Sequence, residues 1–199
     1  MIRTSLTLSL ALLALPLAMA QDLPTLSPGD QAPDFALPNI LDPEGAVVSL
    51  ADVLAESELA VVVWHSIECP WVRPYDEDLP AMAAECAEQG VAFIGINSNV
   101  TESDEDVAAF LGDFEMGAMP MLRDEGNTVA DAYGALRTPE VFVVDSDQTI
   151  RFHGRIDDRG RGEAQNHDLR NALSALLAGE EPAVTETIAR GCTIKRVGM

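Results

Sequence analysis

The residues with the clearest chemical capacity surround Cys69, in the segment HSIECPWVRP at positions 65–74. This segment follows an apolar, β-branched stretch, Leu59–Trp64, which is typical of a strand buried on both faces. It precedes a helical pattern, so we expect Cys69 at a helix N-terminus, where free backbone N–H groups and the helix dipole favour a thiolate. A buried, inert cysteine is the alternative, but the flanking Pro, Trp, Arg and Glu argue against burial. The sequence therefore predicts a reactive thiol at Cys69.

A second cysteine, Cys86, lies seventeen residues further along, most of them in the predicted helix. At ~1.5 Å of rise per residue the two cysteines are roughly 25 Å apart, which is far beyond the reach of a disulfide. Cys86 also shares a helical stripe with Leu79 and Ala83. We therefore interpret Cys86 as a core residue.

The elements that must position these residues alternate between strands and helices. Strand-like segments are predicted at 46–48, 59–64, 91–96, 119–122, 141–144 and 149–153, and helices at 49–55, at 74–89, from Ser103 onward, at 128–133, and from a cap at Asn166 to Gly179. Pro80 is expected to kink or break the second helix. The first half is a strand–helix–strand unit, which requires a parallel pair, whereas the later hairpin adds antiparallel strands. The predicted fold class is therefore α/β, with a mixed central sheet and helices on both faces.

The composition is that of a folded and strongly acidic protein. Among 199 residues, 33 are Asp or Glu and 12 are Lys or Arg, which gives a formal net charge of -21. This charge excludes a general nucleic-acid binder and disfavours adsorption to anionic lipid, because phosphate groups are repelled across the surface. Hydrophobic residues make up 47%, which is enough for one domain with a sizeable core.

The first twenty residues, 1–20, have the pattern of a secretory signal peptide. A positive charge precedes a short apolar run, and Ala18-Met19-Ala20 matches the A-x-A pattern of a cleavage site. A retained anchor is the alternative, and no later stretch is long and apolar enough to span a membrane. We expect a periplasmic or secreted protein, cleaved near Ala20, with a domain at 21–179 and a C-terminal tail at 180–199.

Five further motifs accompany the Cys69 segment along the chain. They are GDQAPDFAL at 29–37, GINSN at 95–99, TPE followed by VFVVD at 138–145, GRIDD at 154–158 and GCTIK at 191–195. Together with Cys-Pro-Trp-Val at 69–72, their order and spacing resemble the redoxins of the thioredoxin fold (the alkyl hydroperoxide reductase/thiol-specific antioxidant superfamily), in particular their peroxiredoxin-like group. The resemblance covers about residues 29–195. It implies a thioredoxin-like fold in which Pro139 is a cis-proline next to Cys69.

Two departures from the family pattern limit the chemistry that the resemblance implies. Val72 stands in the place of the second cysteine of Cys-x-x-Cys, so exchange through a local dithiol is impossible at this motif. In the peroxiredoxin pattern Pro-x-x-x-Thr/Ser-x-x-Cys, Ser66 and Cys69 match, but Val62 replaces the proline. Pro139 stands where the peroxiredoxin arginine is expected. Since that arginine stabilises the transition state, we expect weak peroxidase activity at most.

The tail offers a replacement for the missing cysteine, because Cys192 lies in a segment long enough to fold back. The resemblance then implies a thiol–disulfide oxidoreductase in which Cys69 attacks and Cys192 resolves. Thr138 and Pro139 would present their backbone to the substrate chain, and Trp71 would line the groove. The expected partners are a protein thiol or disulfide and an unidentified reductant, with no cofactor. A purely structural bridge of Cys192, or none, is the alternative.

Three other functions stay open. One is a weak thiol peroxidase. A second is copper binding, because His65-x-x-x-Cys69-Pro has the spacing of the Cys-x-x-x-Cys-Pro site of copper-delivery proteins, with His153 or His167 as a further ligand. A His65 that is hydrogen-bonded to backbone at the end of a strand is the simpler interpretation. The third is an inactive redoxin that serves as a protein-binding module.

Overall fold

The computed structural model describes residues 25–160 and 162–198, so the predicted signal peptide lies outside the described residues. The strands are β1 (Ala36–Pro38), β2 (Val47–Ser49), β3 (Leu59–Trp64), β4 (Val91–Asn97), β5 (Met121–Arg123), β6 (Arg137–Thr138), β7 (Glu140–Asp145), β8 (Ile150–Gly154) and β9 (Cys192–Thr193). The helices are α1 (Leu50–Glu56), α2 (Asp78–Ala87), α3 (Asp104–Leu111), α4 (Thr128–Tyr133) and α5 (Asp168–Leu177). Within these residues no helix is long and apolar enough to cross a membrane.

Five strands form the central sheet in the order β5-β4-β3-β7-β8. β3 is parallel to β4, and β4 is parallel to β5, because α2 and α3 carry the chain back between them. β7 runs antiparallel to β3, and β8 runs antiparallel to β7. This arrangement confirms the predicted mixed sheet.

Alternate residues of β3 face opposite sides of the sheet, and each side has its own core. Val61 and Val63 pack with residues of α2, α3 and α5, whereas Val62 and Trp64 pack with residues of α1 and α4. Every residue of β3 is buried, which is why its sequence is a continuous apolar run rather than an alternating one. Helices therefore cover both faces, as predicted.

The helix after the Cys69 segment begins later than the sequence predicts. α2 starts at Asp78, after a three-residue 3₁₀ turn at Arg73–Tyr75. Pro80 lacks the N–H that would bond to the carbonyl of Asp76, so the helix cannot run unbroken through this point, and Pro80 lies in the first turn of α2. The expectation that Cys69 lies at a helix N-terminus is therefore wrong, because α2 begins nine residues after it.

The last helix, α5, also begins later than predicted. The sequence favours Asn166 as its cap, but the Asn166 side-chain amide donates instead to Asp158 Oδ2 at 2.6 Å. The residue before the helix is His167, whose side chain makes no capping hydrogen bond. Capping would need the Asn166 side-chain oxygen to accept from an N–H group of the helix, and the bond to Asp158 holds this side chain in the preceding loop.

The C-terminal tail, residues 180–198, packs back onto the domain. Its first half runs beside β8, where His153 N–H donates to Thr185 O at 3.0 Å and Thr187 N–H donates to His153 O at 2.9 Å. β9 then pairs antiparallel with β6, and Ile194 is fully buried in the core that contains α1 and α4 residues. This path carries the second half of the tail toward the carboxyl end of β3.

Candidate active site

Cys69 lies in the loop that follows β3, and its thiol is enclosed. The residue is 1% exposed, and its Sγ donates a hydrogen bond to the carbonyl oxygen of Thr138 at 3.0 Å. The prediction that its polar and bulky neighbours keep it accessible is therefore wrong. Trp71 is 42% exposed, but the thiol itself lies against the carbonyl group of Thr138, which is 69 positions away in the sequence.

The backbone after Cys69 turns tightly instead of entering a helix. Its carbonyl oxygen accepts hydrogen bonds from Val72 N–H at 3.0 Å and from Arg73 N–H at 3.4 Å. Arg73 is the nearest cation in the sequence, yet its guanidinium lies 4.5 Å from the centre of the Phe110 ring. Arg73 thus stabilises the packing of α3 against this turn.

Cys192 lies beside Cys69. β9 places Cys192 opposite Thr138, whose carbonyl oxygen accepts the hydrogen bond from Cys69 Sγ. The pKa of Cys192 is raised to about 11, by burial first and then by the hydrogen bond and charge of Cys69, and Lys195 and the N–H of Trp71 offset part of this rise. Both cysteines are free thiols. The fold therefore brings together the two cysteines that the sequence singled out.

The Thr138–Pro139 peptide bond, which joins β6 to β7, is cis. Gly191 passes directly over it: a Cβ at that position would lie 1.9 Å from the carbonyl oxygen of Thr138 and 3.1 Å from Pro139 N. Because both of these atoms belong to the backbone, only glycine allows so close an approach. The hydroxyl of Thr138 is buried and has no hydrogen-bond partner among the described residues.

Glu102, which no sequence pattern singled out, is a buried carboxylate that holds the loop in front of Cys69. It is 5% exposed. Its hydrogen-bond donors belong to two neighbouring loops: Ser66 Oγ at 2.5 Å, Ile67 N at 3.2 Å, Glu68 N at 3.1 Å, Asn97 Nδ2 at 2.5 Å and Asn99 Nδ2 at 3.2 Å. Glu102 thus fixes the backbone that leads from β3 into the Cys69 turn.

One sequence signal does place the Glu102 loop near Cys69. The two loops follow the carboxyl ends of β3 and β4, and because these strands are parallel neighbours their loops meet at the same edge of the sheet. That rule does not choose Glu102 among the acidic residues around it. Asp104, Glu105 and Asp106 are exposed, and only the three-dimensional path turns Glu102 inward.

A buried histidine, His153, connects the tail to the segment before the cis bond. Its Nε2 lies 2.8 Å from Glu140 Oε1, and its Nδ1 lies 3.3 Å from Glu186 Oε1. Glu140 Oε2 in turn accepts from the N–H groups of Leu136 and Arg137, both at 2.8 Å. Burial works against the charged imidazole, but the hydrogen bonds and charges of Glu140 and Glu186 outweigh it and raise the pKa of His153.

The structure does not assemble the copper site considered from the sequence. His65 Nε2 lies 3.2 Å from Asp76 Oδ1 in the interior, and His153 is held by its two glutamates. Within residues 25–160 and 162–198, no three His, Cys, Asp or Glu side chains are placed to hold a metal ion. His65, Cys69 and His153 are therefore not ligands of one site, and the exposed His167 does not complete it.

Comparison with known proteins assigns the chain to a family. The model of the AhpC/TSA family matches residues 28–153, more than half of the chain. The protein belongs to the AhpC/TSA family. The matched range includes Cys69 and Pro139 but ends before the tail. Cys192 therefore lies outside the part of the chain that defines the family.

Individual relatives agree with this assignment. The chain is 32% identical over 125 residues to the Thiol:disulfide interchange protein DsbE of Allochromatium vinosum, and the match spans 63% of this chain and 64% of the length of that relative. A hypothetical protein from Sinorhizobium meliloti is 33% identical, with a TM-score of 0.79 over 88% of this chain and 98% of that one. A putative Thiol:disulfide interchange protein DsbE from Chlorobium tepidum, 23% identical, has the same fold, with a TM-score of 0.56 over 65% and 85% of the two chains. The fold is thioredoxin-like, as predicted.

Proposed function

We propose that the protein is a thiol–disulfide oxidoreductase in which Cys69 attacks and Cys192 resolves. The observation that carries the proposal is the position of Cys192 opposite Thr138, whose carbonyl oxygen accepts the hydrogen bond from Cys69 Sγ. Val72 leaves the motif without a second cysteine, and Cys192 supplies one from the tail. The tail thus does what the second cysteine of Cys-x-x-Cys would do.

The reaction consists of two thiol–disulfide exchanges. The Cys69 thiolate attacks one sulfur of a partner disulfide, which forms a mixed disulfide and releases the other sulfur of the partner as a thiolate. The Cys192 thiolate then attacks Cys69 Sγ, which forms the Cys69–Cys192 disulfide and releases the partner as a dithiol. A dithiol reductant reverses the last step by the same exchanges and leaves as a disulfide.

The surroundings of Cys192 favour this order of events. Burial and, after it, the hydrogen bond and charge of Cys69 raise the pKa of Cys192 in the reduced pair. When Cys69 is engaged in a mixed disulfide it carries no charge, and a tail displaced by the substrate is no longer buried in the site, so the causes that raise the pKa of Cys192 are removed and the pKa falls toward its ordinary value of 9.0. Cys192 therefore becomes the better nucleophile only after Cys69 has reacted.

The partner in this proposal is a protein thiol or disulfide. Thr138 and Pro139 offer it backbone groups beside Cys69, and the exposed Trp71 lines its path. The similarity to a protein named for thiol:disulfide interchange supports this class of activity. The signal-peptide pattern at 1–20 supports a periplasmic or secreted location, where disulfides persist.

Trapping by the Cys192→Ser variant tests the proposal. With insulin as the disulfide substrate, this variant should accumulate a mixed disulfide at Cys69 that a dithiol reverses, because the attack proceeds but the release does not. Cys69→Ser should neither trap nor turn over. Cys86→Ser is the matched control and should behave like the wild type. If Cys192→Ser turns over as fast as the wild type and traps nothing, the resolving role is wrong.

A further inference from the structure

The tail occupies the edge of β6 beside Cys69. β9 lies antiparallel to β6 and places Cys192 opposite Thr138, and the next residue extends this contact, since Ile194 N–H donates to Leu136 O at 3.1 Å. In the proposed function this is the backbone that a substrate chain must reach. A second chain cannot pair with the same edge while β9 is there, because the ladder groups of the edge are already bonded.

The enclosure of Cys69 leads to the same conclusion. Disulfide exchange requires the sulfur of the substrate to contact Cys69 Sγ, and Cys69 is 1% exposed. Cys192 is paired with Thr138, whose carbonyl oxygen the Cys69 thiol contacts, and it therefore holds the position that a substrate cysteine would take. A substrate reaches Cys69 only when this part of the tail moves away.

The residue before Cys192 is restricted to the smallest side chain. At Gly191 a Cβ would lie 1.9 Å from the carbonyl oxygen of Thr138. Any chain that takes the same path past Thr138 toward Cys69 meets the same backbone atom. The site therefore selects for glycine directly before the reacting cysteine.

The residues after Cys192 are restricted by an apolar site and an acidic group. Ile194 is fully buried. Arg196 Nε lies 2.8 Å from Asp131 Oδ1, and its Nη2 donates to Ala135 O at 2.6 Å. Residues 190–196 contain three cations and no acid, in a chain whose net charge is -21. A chain of this charge attracts basic segments to its surface.

We propose that residues 190–196 are an internal substitute for the substrate: the β6 edge binds an extended, basic partner segment with a glycine directly before its cysteine, after its own tail has moved off. This inference rests on the proposed function. It adds the chemical class of the partner and names the segment that the partner must displace.

Activated peptides test the selectivity on full-length Cys192→Ser protein. The reference peptide copies residues 188–197 and carries thionitrobenzoate on its cysteine as a mixed disulfide. Attack by Cys69 on the peptide sulfur forms the Cys69–peptide disulfide and releases thionitrobenzoate, whose colour gives the rate. Matched peptides have valine in place of the glycine, or glutamate in place of the three cations.

The reference peptide should react about tenfold faster than either matched peptide, because a side chain forced against backbone and a reversed charge each disfavour docking. The small neutral thiol 2-mercaptoethanol, used as attacker in place of the protein, corrects for the intrinsic reactivity of each peptide. Equal corrected rates would overturn the proposal.

Two glycine-to-alanine substitutions, compared in the same protein, test whether the tail blocks access to Cys69. Gly191→Ala, added to Cys192→Ser, should push β9 from the Thr138 carbonyl and speed the alkylation of Cys69, measured by mass spectrometry of the Cys69 peptide. Gly117→Ala is the matched control, since a Cβ there meets nothing within 4 Å. Equal alkylation rates in the two variants would overturn the displacement.

If Gly191→Ala does not fold, hydrogen exchange in the Cys192→Ser protein tests the displacement of the tail instead. Relative to the unfolded chain, alkylation of Cys69 should be slowed by the same factor as exchange of the Ile194 amide, because one opening exposes both. A much smaller slowing of alkylation contradicts the displacement.

The two proposals fail in different ways. Peptide transfer reports a single attack by Cys69, whereas turnover reports release by Cys192. If Cys69 reacts with no activated disulfide, even in the Gly191→Ala background, both proposals are wrong. If it reacts with the expected selectivity but the wild type never forms the Cys69–Cys192 disulfide, only the resolving role is wrong.

Discussion

Cys69 and Cys86 are both buried, at 1% and 9% exposed, yet their surroundings are opposite. Cys86 packs in the apolar stripe of α2 with Leu79, Met82 and Ala83. Burial there raises the pKa of Cys86 and keeps the sulfur protonated. Cys69 instead donates to the carbonyl oxygen of Thr138, the residue that β9 pairs with Cys192.

This difference shows that two buried cysteines can depend on very different parts of the fold for their cover. The helix that carries Cys86 packs against the sheet over its whole length, so its cover is lost only when the core opens. The cover of Cys69 is β9, a strand of two residues at an edge. A short edge segment can open locally without global unfolding, which is the motion that the proposed displacement of the tail requires.

The largest expected difference between the two cysteines is the effect of their substitution on the rate of disulfide exchange. Cys69→Ser removes the attacking sulfur. The rate at which a dithiol reduces insulin in its presence should therefore fall to the uncatalysed rate. Cys86→Ser should keep the wild-type rate, because Cys86 packs in the core that contains α3 and α5 residues, whereas Ile194 of the tail packs in the core on the other face of the sheet. The precipitation of reduced insulin measures both rates. A folded Cys86→Ser protein without activity would break the comparison.

The carboxylate that holds the Cys69 loop should be the next largest contributor. Glu102→Ala leaves several buried donors without an acceptor, including the Ser66 hydroxyl and the Ile67 N–H, and should lower the free energy of unfolding by about 3–5 kcal/mol. Glu105→Ala, at an exposed position in the same region, should cost less than about 1 kcal/mol. Denaturant unfolding measures both values. Equal losses would mean that Glu102 does not support the site.

The pKa of Cys192 sharpens the comparison, because it reports on the neighbouring thiol. The wild-type value of about 11 should fall in Cys69→Ser, since the hydrogen bond and charge of Cys69 are lost, while burial, the largest cause, remains. The rate of iodoacetamide alkylation at Cys192 against pH measures the change. Cys86→Ser should leave the curve where it is. An unchanged curve in Cys69→Ser would mean that Cys69 has no effect on the pKa of Cys192, which contradicts the prediction.

The smallest expected effect concerns the far anchor of the tail. The folded-state pKa of His153 is raised above its ordinary value of 6.5. Its stabilising contribution is therefore fully present below about pH 6.5 and is lost as the pH rises through the raised value. His153→Gln should cost about 1–3 kcal/mol at low pH and should remove this pH dependence of the unfolding free energy. His167→Gln, at an exposed position, should preserve it.

Local patterns in the sequence were sufficient for the elements. The continuous apolar run of β3 predicted a strand buried on both faces, and α4 has the predicted bounds. Ser49 and Ser103 cap their helices as expected, each accepting from the N–H three residues on. These features depend on periodicity and on hydrogen bonds within one turn, which neighbouring residues encode.

The sequence by itself also predicted that Cys86 packs in the core, because it falls on an apolar stripe, and it singled out Cys69 and Cys192 as the candidate pair. Only the tertiary structure decided that Cys69 is enclosed, that Glu102 supports its loop, and that the histidines do not form a copper site with it. The physical reason is the span of the contacts. The Cys69–Thr138 hydrogen bond joins residues 69 positions apart, and the Ser66–Glu102 bond joins residues 36 apart. Such pairs form only when separate strands meet at one edge of the sheet, and no local pattern specifies which side chains then face each other.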